Sequence, residues 1–131
     1  MNKLLLATLA GGAIFAASVA DGIYTESQAT EGGADYRKEC ASCHGMDLTG
    51  RGQAPPLAGP EFVSNWNGMT VGDLFDKMES SMPADRPGQI GAEENARILA
   101  YILQANQFPS GKITLAGDAD TLRKIRFEAA K

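Results

Sequence analysis

The pentapeptide Cys40-Ala41-Ser42-Cys43-His44 holds both cysteines and the single histidine of this 131-residue chain. Two cysteines separated by two residues, with a histidine directly after the second, are typical of a c-type haem attachment site. In such a site each sulfur forms a thioether with one porphyrin vinyl group, and the imidazole ligates the iron from one side. The motif therefore predicts one covalently bound haem c, held by Cys40 and Cys43 and ligated by His44.

Two other uses of this motif fit the sequence less well. A redox-active dithiol of the thioredoxin type lies among alternating strands and helices, and the sequence predicts no such strands. A structural zinc site needs four nitrogen or sulfur ligands, which three candidates crowded into five residues do not supply. Haem is therefore the favoured interpretation.

The first twenty residues have the pattern of an export signal. Met1-Asn2-Lys3 provides the positive charge, an apolar run follows, and Ser18-Val19-Ala20 is a small-residue cleavage site. A retained membrane anchor is the alternative, but the apolar run is short for a membrane span. We expect residues 1–20 to be a cleaved signal peptide and the protein to be periplasmic, because c-type haem is attached outside the cytoplasmic membrane.

The charge balance limits the possible partners. The chain has 12 basic and 16 acidic residues and a formal net charge of −4. Loss of Lys3 with the signal peptide makes this about −5, which disfavours nucleic acid as a ligand. The acidic surface either docks on a basic redox partner or only keeps the protein soluble. We expect a single domain without stable membrane insertion after cleavage.

The chain before the cysteine motif predicts a leader and then a helix. Residues 21–30 show no clear periodicity and are predicted to be a flexible leader. Thr30 is the expected N-cap, and Gly33, Tyr36 and Cys40 then fall on one helix face. A glycine within a helix costs stability unless a second helix approaches its backbone closely.

The chain after the motif predicts loops and short helices. Residues 45–60 are rich in glycine and proline, which predicts a loop wrapped against the flat porphyrin. Residues 61–66 predict one helical turn, with Phe62 and Trp66 on the same face.

Two clearer helices follow. Thr70 and Asp73 predict a capping box that opens an amphipathic helix, and residues 93–106 carry a long apolar stripe. Between them Met82 is expected to be extended, because Pro83 biases it away from helical geometry. The predicted fold is all-α, with three to four short helices and long loops around one haem. The side chains expected around the porphyrin are Leu57, Trp66, Leu74, Phe75, Leu99 and Leu103.

The chain has no second histidine, so bis-histidine ligation of the iron within the chain is excluded. Met46 is too close to His44 to reach the opposite face of the ring. Met69 precedes a helix cap, and Met78 lies on an apolar helix stripe, where core filling is the usual role. Met82 is therefore the predicted ligand, with Met78, Met69 or an open iron site as alternatives.

Taken together, these motifs resemble the class I c-type cytochromes over about residues 36–106. They are most similar to the small cytochromes and fused cytochrome domains that accompany quinoprotein (PQQ) alcohol dehydrogenases. The resemblance rests on Cys40-Ala-Ser-Cys-His-Gly45, Gly52-Gln-Ala-Pro-Pro-Leu-Ala-Gly59, Thr70-Val-Gly-Asp-Leu-Phe75, Ser81-Met-Pro83 and Ile98-Leu-Ala-Tyr-Ile-Leu103.

The resemblance implies roles for individual residues. It implies thioethers at Cys40 and Cys43, axial ligation by His44 and Met82, and a hydrogen bond from the His44 ring to the Pro55 carbonyl. The alternative for Pro55 is an ordinary loop proline.

The resemblance also implies that two further side chains contact the haem propionates. Trp66 is implied to use its indole N–H and Arg51 its guanidinium. The alternatives are a core tryptophan and a solvated loop arginine. The resemblance also implies that Gly33 and Tyr36 pack the first helix across the last.

The predicted cytochrome domain covers residues 31–107, and residues 108–131 form a C-terminal extension. Asp118 or Asp120 is expected to cap a short helix that runs through Arg126. The extension is expected to wrap the domain, with docking on a partner and a frayed end as alternatives.

These features predict an electron carrier that cycles between Fe(II) and Fe(III) and makes or breaks no substrate bond. The resemblance implies a quinoprotein dehydrogenase as electron donor and an oxidase or another cytochrome as acceptor. One alternative is a haem subunit held within a dehydrogenase complex. Another is a haem sensor or peroxidase with an open iron, which would need a distal acid or base that the sequence does not place.

Overall fold

The computed structural model describes residues 17–129, so most of the predicted signal peptide, residues 1–16, lies outside the described residues. The described residues are mostly helical, which confirms the all-α class. They contain six α-helices rather than three to four, because the four-residue helix in the cysteine motif was not expected and the short helix of the extension adds to the predicted number. The helices are α1 Glu26–Glu39, α2 Ala41–His44, α3 Pro60–Trp66, α4 Val71–Ser81, α5 Ala92–Ala105 and α6 Ala119–Leu122; the strands are β1 Ala17–Ser18 and β2 Ile125–Arg126, and Val19–Asp21 is a 3₁₀ turn.

The two longest helices, α1 and α5, cross at a glycine. A Cβ atom on Gly32 would lie 1.8 Å from the Arg97 carbonyl oxygen, so the backbones meet there. The prediction gave this role to Gly33, whose Cβ would instead lie 3.2 Å from the Tyr101 ring. Tyr36 does pack on α5, with its ring centroid 5.3 Å from that of Tyr101. The crossing fixes the end of α1 that leads into the cysteine motif.

Helix α1 begins earlier than predicted, and the expected leader over residues 21–30 is wrong. Thr25 is the N-cap, and its hydroxyl accepts a hydrogen bond of 3.1 Å from the backbone N–H three residues on. Thr30 lies inside the helix and donates to a backbone carbonyl one turn earlier. Tyr24 is buried and its hydroxyl donates to the Phe108 carbonyl. This long-range contact orders a segment that shows no periodicity in sequence.

Helix α4 has the predicted capping box. The Thr70 hydroxyl accepts from the Asp73 N–H at 3.1 Å, and the Asp73 carboxylate accepts from the Thr70 N–H at 2.9 Å. The helix ends at Ser81, and Met82 is extended, with φ −119° and ψ 149°. This agrees with the restriction that Pro83 places on the preceding residue.

The described part of the C-terminal extension wraps the domain. Helix α6 lies on α4 at Gly72, where a Cβ atom would lie 2.5 Å from the Ala119 carbonyl oxygen. The Phe127 N–H donates to the Met69 carbonyl at 2.8 Å, and the Phe127 ring is fully buried. Its ring meets that of Phe62 edge-on at a centroid distance of 5.9 Å. The extension therefore adds apolar core to the domain.

The helix of the extension is shorter than predicted. Asp118 is its N-cap, but the helix ends at Leu122 rather than at Arg126. The chain then becomes extended, because β2 pairs in parallel with β1, Ala17–Ser18. No helix within residues 17–129 has the length and apolar character to cross a membrane.

Candidate haem-binding site

The cysteine motif forms a helical turn directly after α1. The Cys40 carbonyl accepts from the His44 N–H at 3.0 Å, and both cysteine thiols are free. Residues at positions i, i+3 and i+4 of a helical turn share one face, so Cys40, Cys43 and His44 are presented together. Tyr36 fixes this turn to α1, because its buried hydroxyl donates to the Gly45 carbonyl at 2.7 Å. The arrangement suits two thioethers and one axial ligand to the same ring.

The imidazole of His44 is oriented by a backbone carbonyl. Nδ1 of His44 lies 2.8 Å from the carbonyl oxygen of Pro55, and the His44 side chain is buried. A carbonyl oxygen only accepts hydrogen bonds, so Nδ1 is the donor, and in the neutral imidazole Nε2 then has the lone pair. This is the hydrogen bond that the resemblance implies for Pro55. An imidazole with one nitrogen anchored and the other free is typical of a metal-ligating histidine.

The loop that carries Pro55 is held by a tight turn. The Gly50 N–H donates to the His44 carbonyl at 2.8 Å, which returns the loop to the cysteine motif. Gly50 has φ +84°, and a Cβ atom there would lie 2.7 Å from the Ala54 carbonyl oxygen. This position therefore requires glycine. The turn brings the Pro55 carbonyl within reach of the histidine ring.

Asn106 also holds this loop, a role that was not predicted from the sequence. Its side-chain oxygen accepts from the Gly59 N–H at 2.9 Å, and its side-chain nitrogen donates to the Leu57 carbonyl at 2.9 Å. The loop is thus anchored to the end of α5. The sequence does contain a signal for this role, because an asparagine at the end of an apolar helical stripe often forms hydrogen bonds to nearby backbone groups.

The environment of Cys40 disfavours the dithiol alternative. Burial raises the pKa of the Cys40 thiol to about 12, and the Glu39 carboxylate contributes in the same direction. A redox-active cysteine needs a lowered pKa, because the thiolate is the reactive form. Within residues 17–129, no group of three or more His, Cys, Asp or Glu side chains is arranged to hold a metal ion.

The described methionines have different surroundings. Met46 and Met69 are exposed, at 63% and 42%, and Met78 is buried in the core. Met82 is half-buried and lies outside the helix that precedes it, on extended backbone. A thioether is a known axial ligand of c-type haem, so a half-buried methionine on a loop fits this role. Ligation by Met82 stays a prediction.

The two predicted propionate contacts lie in different settings. Trp66 is the last residue of α3 and packs against the core with part of its surface accessible. Arg51 is exposed, and its backbone N–H donates to the Ala54 carbonyl at 3.0 Å. Contact of either side chain with a propionate stays a prediction. Of the other side chains expected around the porphyrin, Leu74, Phe75, Leu99 and Leu103 are buried and Leu57 is partly buried.

The chain is similar to a known protein family and to a solved structure. A family model described as cytochrome c oxidase, cbb3-type, subunit III matches residues 27–102, more than half of the chain. Among solved structures, the sulfane dehydrogenase SoxCD from Paracoccus pantotrophus is similar, with a TM-score of 0.56 and 21% sequence identity. The match covers 88% of this chain and 62% of that one, so this chain spans less than two thirds of its length. No curated protein sequence matches the chain.

The structural likeness supports the fold, and the family match covers the haem motif and the helices that surround it. The donor set fits the cofactor, because two thiols and an imidazole with a free Nε2 are presented on one face. Haem c is the cofactor of this family, and in this chain Cys40 and Cys43 are the residues that attach it. The chain therefore belongs to the family of cytochrome c domains described as cytochrome c oxidase, cbb3-type, subunit III, which use haem for electron transfer.

Proposed function

We propose that this cytochrome is a periplasmic electron carrier whose haem iron is ligated by His44 and Met82. The observation that carries the proposal is the anchored imidazole of His44, with Nδ1 bound to the Pro55 carbonyl and Nε2 free. The extended, half-buried Met82 supports the second ligand. The haem supplies one-electron exchange between Fe(II) and Fe(III). The protein keeps both ligands in place through that exchange, so little reorganisation accompanies it.

The chain supports a carrier better than a haem enzyme. Peroxidase chemistry uses a distal acid or base, and the single histidine of the chain is on the proximal side. We propose a quinoprotein (PQQ) dehydrogenase as the electron donor and an oxidase or another cytochrome as the acceptor, from the resemblance of the sequence motifs. A haem subunit of a dehydrogenase complex would differ from a free carrier in how long it stays bound to the enzyme. Co-purification with the enzyme would identify such a subunit.

The test of ligation is the optical spectrum of the haem-loaded protein. A methionine ligand gives ferric haem a weak near-infrared band from sulfur-to-iron charge transfer. We expect the wild type and Met78→Leu to show this band and Met82→Ala to lack it. Met78→Leu is the matched control, because it removes a buried methionine from the same helix–loop unit. A wild type without the band that binds carbon monoxide readily would overturn the proposal and indicate an open iron.

A further inference from the structure

An ion pair connects α1 to the loop that carries Met82. Glu39 is the last residue of α1 and directly precedes Cys40, and Arg86 lies in the loop between α4 and α5. Nη2 of Arg86 lies 3.0 Å from Oε2 of Glu39. The Glu39 side chain is only 10% exposed, although that of Arg86 is 50% exposed. One partner of the pair is therefore largely covered by protein, and a hydrogen bond between charged groups is stronger than one between neutral groups.

Of the charged contacts around Glu39 and Arg86, the one between these two residues is the shortest. Lys38 lies 3.5 Å from Glu39 and Asp85 lies 3.8 Å from Arg86, and both side chains are at least 75% exposed. The hydrogen bond from Arg86 holds the pKa of the Glu39 carboxyl below its ordinary value, so both partners are charged at neutral pH. Exposed neighbours at longer distances contribute little.

Arg86 is also central to the internal structure of the loop. Its N–H donates to the Pro83 carbonyl at 2.9 Å, and its carbonyl accepts from the Gln89 N–H at 3.2 Å. The far end of the loop is anchored separately, because Ile90 is buried. Holding the Arg86 side chain therefore holds the turn that begins next to Met82.

We propose that Glu39 and Arg86 are a positioning pair that keeps the Met82 loop closed over the iron and limits how fast an external ligand reaches it. The proposal rests on ligation by Met82. One partner precedes the first haem-attachment cysteine and the other follows Met82 by four residues, so the pair joins the segment that anchors the haem to the segment that supplies the ligand. Separation of this loop from the end of α1 requires the pair to break, and we expect that separation to accompany movement of Met82.

The experiment is imidazole binding to the ferric, haem-loaded protein, followed by stopped-flow absorbance. Imidazole replaces an axial methionine. At high imidazole concentration the binding rate reaches a limit, and this limiting rate measures how fast the loop opens. We expect Glu39→Gln and Arg86→Gln each to raise this rate by about two- to tenfold, as for loss of one charged hydrogen bond. Both variants keep the near-infrared band. Asp85→Asn is the matched control and should open at the wild-type rate.

The double variant Glu39→Gln/Arg86→Gln tests whether the two residues act together. For a pair, its rate equals that of either single variant, because the first substitution already removes the contact. Wild-type rates in both single variants, or effects that multiply in the double variant, would overturn the inference. Slower opening, or faster opening in Asp85→Asn to the same degree, would also overturn it. A wild type that lacks the near-infrared band instead contradicts Met82 ligation itself, so the two failures are distinguishable.

Discussion

The Nδ1 atom of His44 and the carbonyl oxygen of Pro55 lie 2.8 Å apart, which fixes the imidazole plane and leaves Nε2 for the iron. This contact depends on the position of the loop around Pro55. That loop is held at its far end by two hydrogen bonds with the Asn106 side chain, which accepts from the Gly59 N–H and donates to the Leu57 carbonyl. The orientation of the proximal ligand is thus connected to the end of α5.

Replacing Asn106 should loosen the proximal loop. Asn106→Leu leaves the Gly59 N–H and the Leu57 carbonyl without their partners, so we expect a loss of about 1–3 kcal/mol in the free energy of unfolding. The measurement is denaturant unfolding of the haem-loaded protein. Gln104→Leu, an exposed position on the same helix, is the control and should change stability by less than about 0.5 kcal/mol. Equal effects of the two substitutions would contradict the role of Asn106.

The crossing of α1 and α5 predicts different costs for two adjacent glycines. Gly32→Ala places a methyl group 1.8 Å from the Arg97 carbonyl oxygen, so the helices must separate. We expect a loss of about 2–4 kcal/mol, or failure of the variant to accumulate. In Gly33→Ala the new methyl group meets the Tyr101 side chain at 3.2 Å, which can shift. Its net cost should be under about 1 kcal/mol, because alanine favours the helix.

Thermal unfolding of the two variants side by side measures this difference. If Gly33→Ala is as unstable as Gly32→Ala, the assignment of the close helix approach to Gly32 is contradicted. The yield of haem-loaded protein provides a second comparison of the same pair.

The capping box of α4 predicts a pH dependence of stability. The Thr70 backbone N–H, together with the Thr70 hydroxyl, lowers the pKa of the Asp73 carboxyl from its ordinary value of 3.8. Because the folded pKa lies below the unfolded one, this contribution is fully present above about pH 5. It is lost as the pH falls through the folded pKa.

The comparison with Asp73→Asn isolates this contribution. Asparagine does not titrate, so we expect the stability difference between wild type and Asp73→Asn to be largest above about pH 5 and to shrink on acidification. The measurement is denaturant unfolding between about pH 3 and pH 7. A difference that stays constant, or that grows toward low pH, would contradict the assignment.

The N-terminal residues allow a prediction about export. We expect cleavage between Ala20 and Asp21, so the purified, haem-loaded protein should begin at Asp21. This removes β1 and the fully buried Val19 but keeps Tyr24 and its hydrogen bond to Phe108. N-terminal sequencing of the purified, haem-loaded protein is the measurement. A protein that retains Val19 would contradict cleavage at this site.

Local features of the site were predictable from sequence. The CxxCH motif, the capping box at Thr70 and Asp73, and the extended backbone of Met82 each depend on residues within a few positions of one another. The all-α class follows from the same local patterns, because capping residues and apolar spacing identify helices without reference to the rest of the fold. The resemblance of the motifs added the hydrogen bond between His44 and Pro55.

What the tertiary structure decided involves residues far apart in the chain. The start of α1 depends on Tyr24 meeting Phe108, and only the helix crossing distinguishes Gly32 from Gly33. The anchoring of the proximal loop by Asn106 and the pairing of Glu39 with Arg86 are likewise long-range. Helical periodicity gives the face on which a residue lies, but the partner of that face is set by how the helices pack in three dimensions.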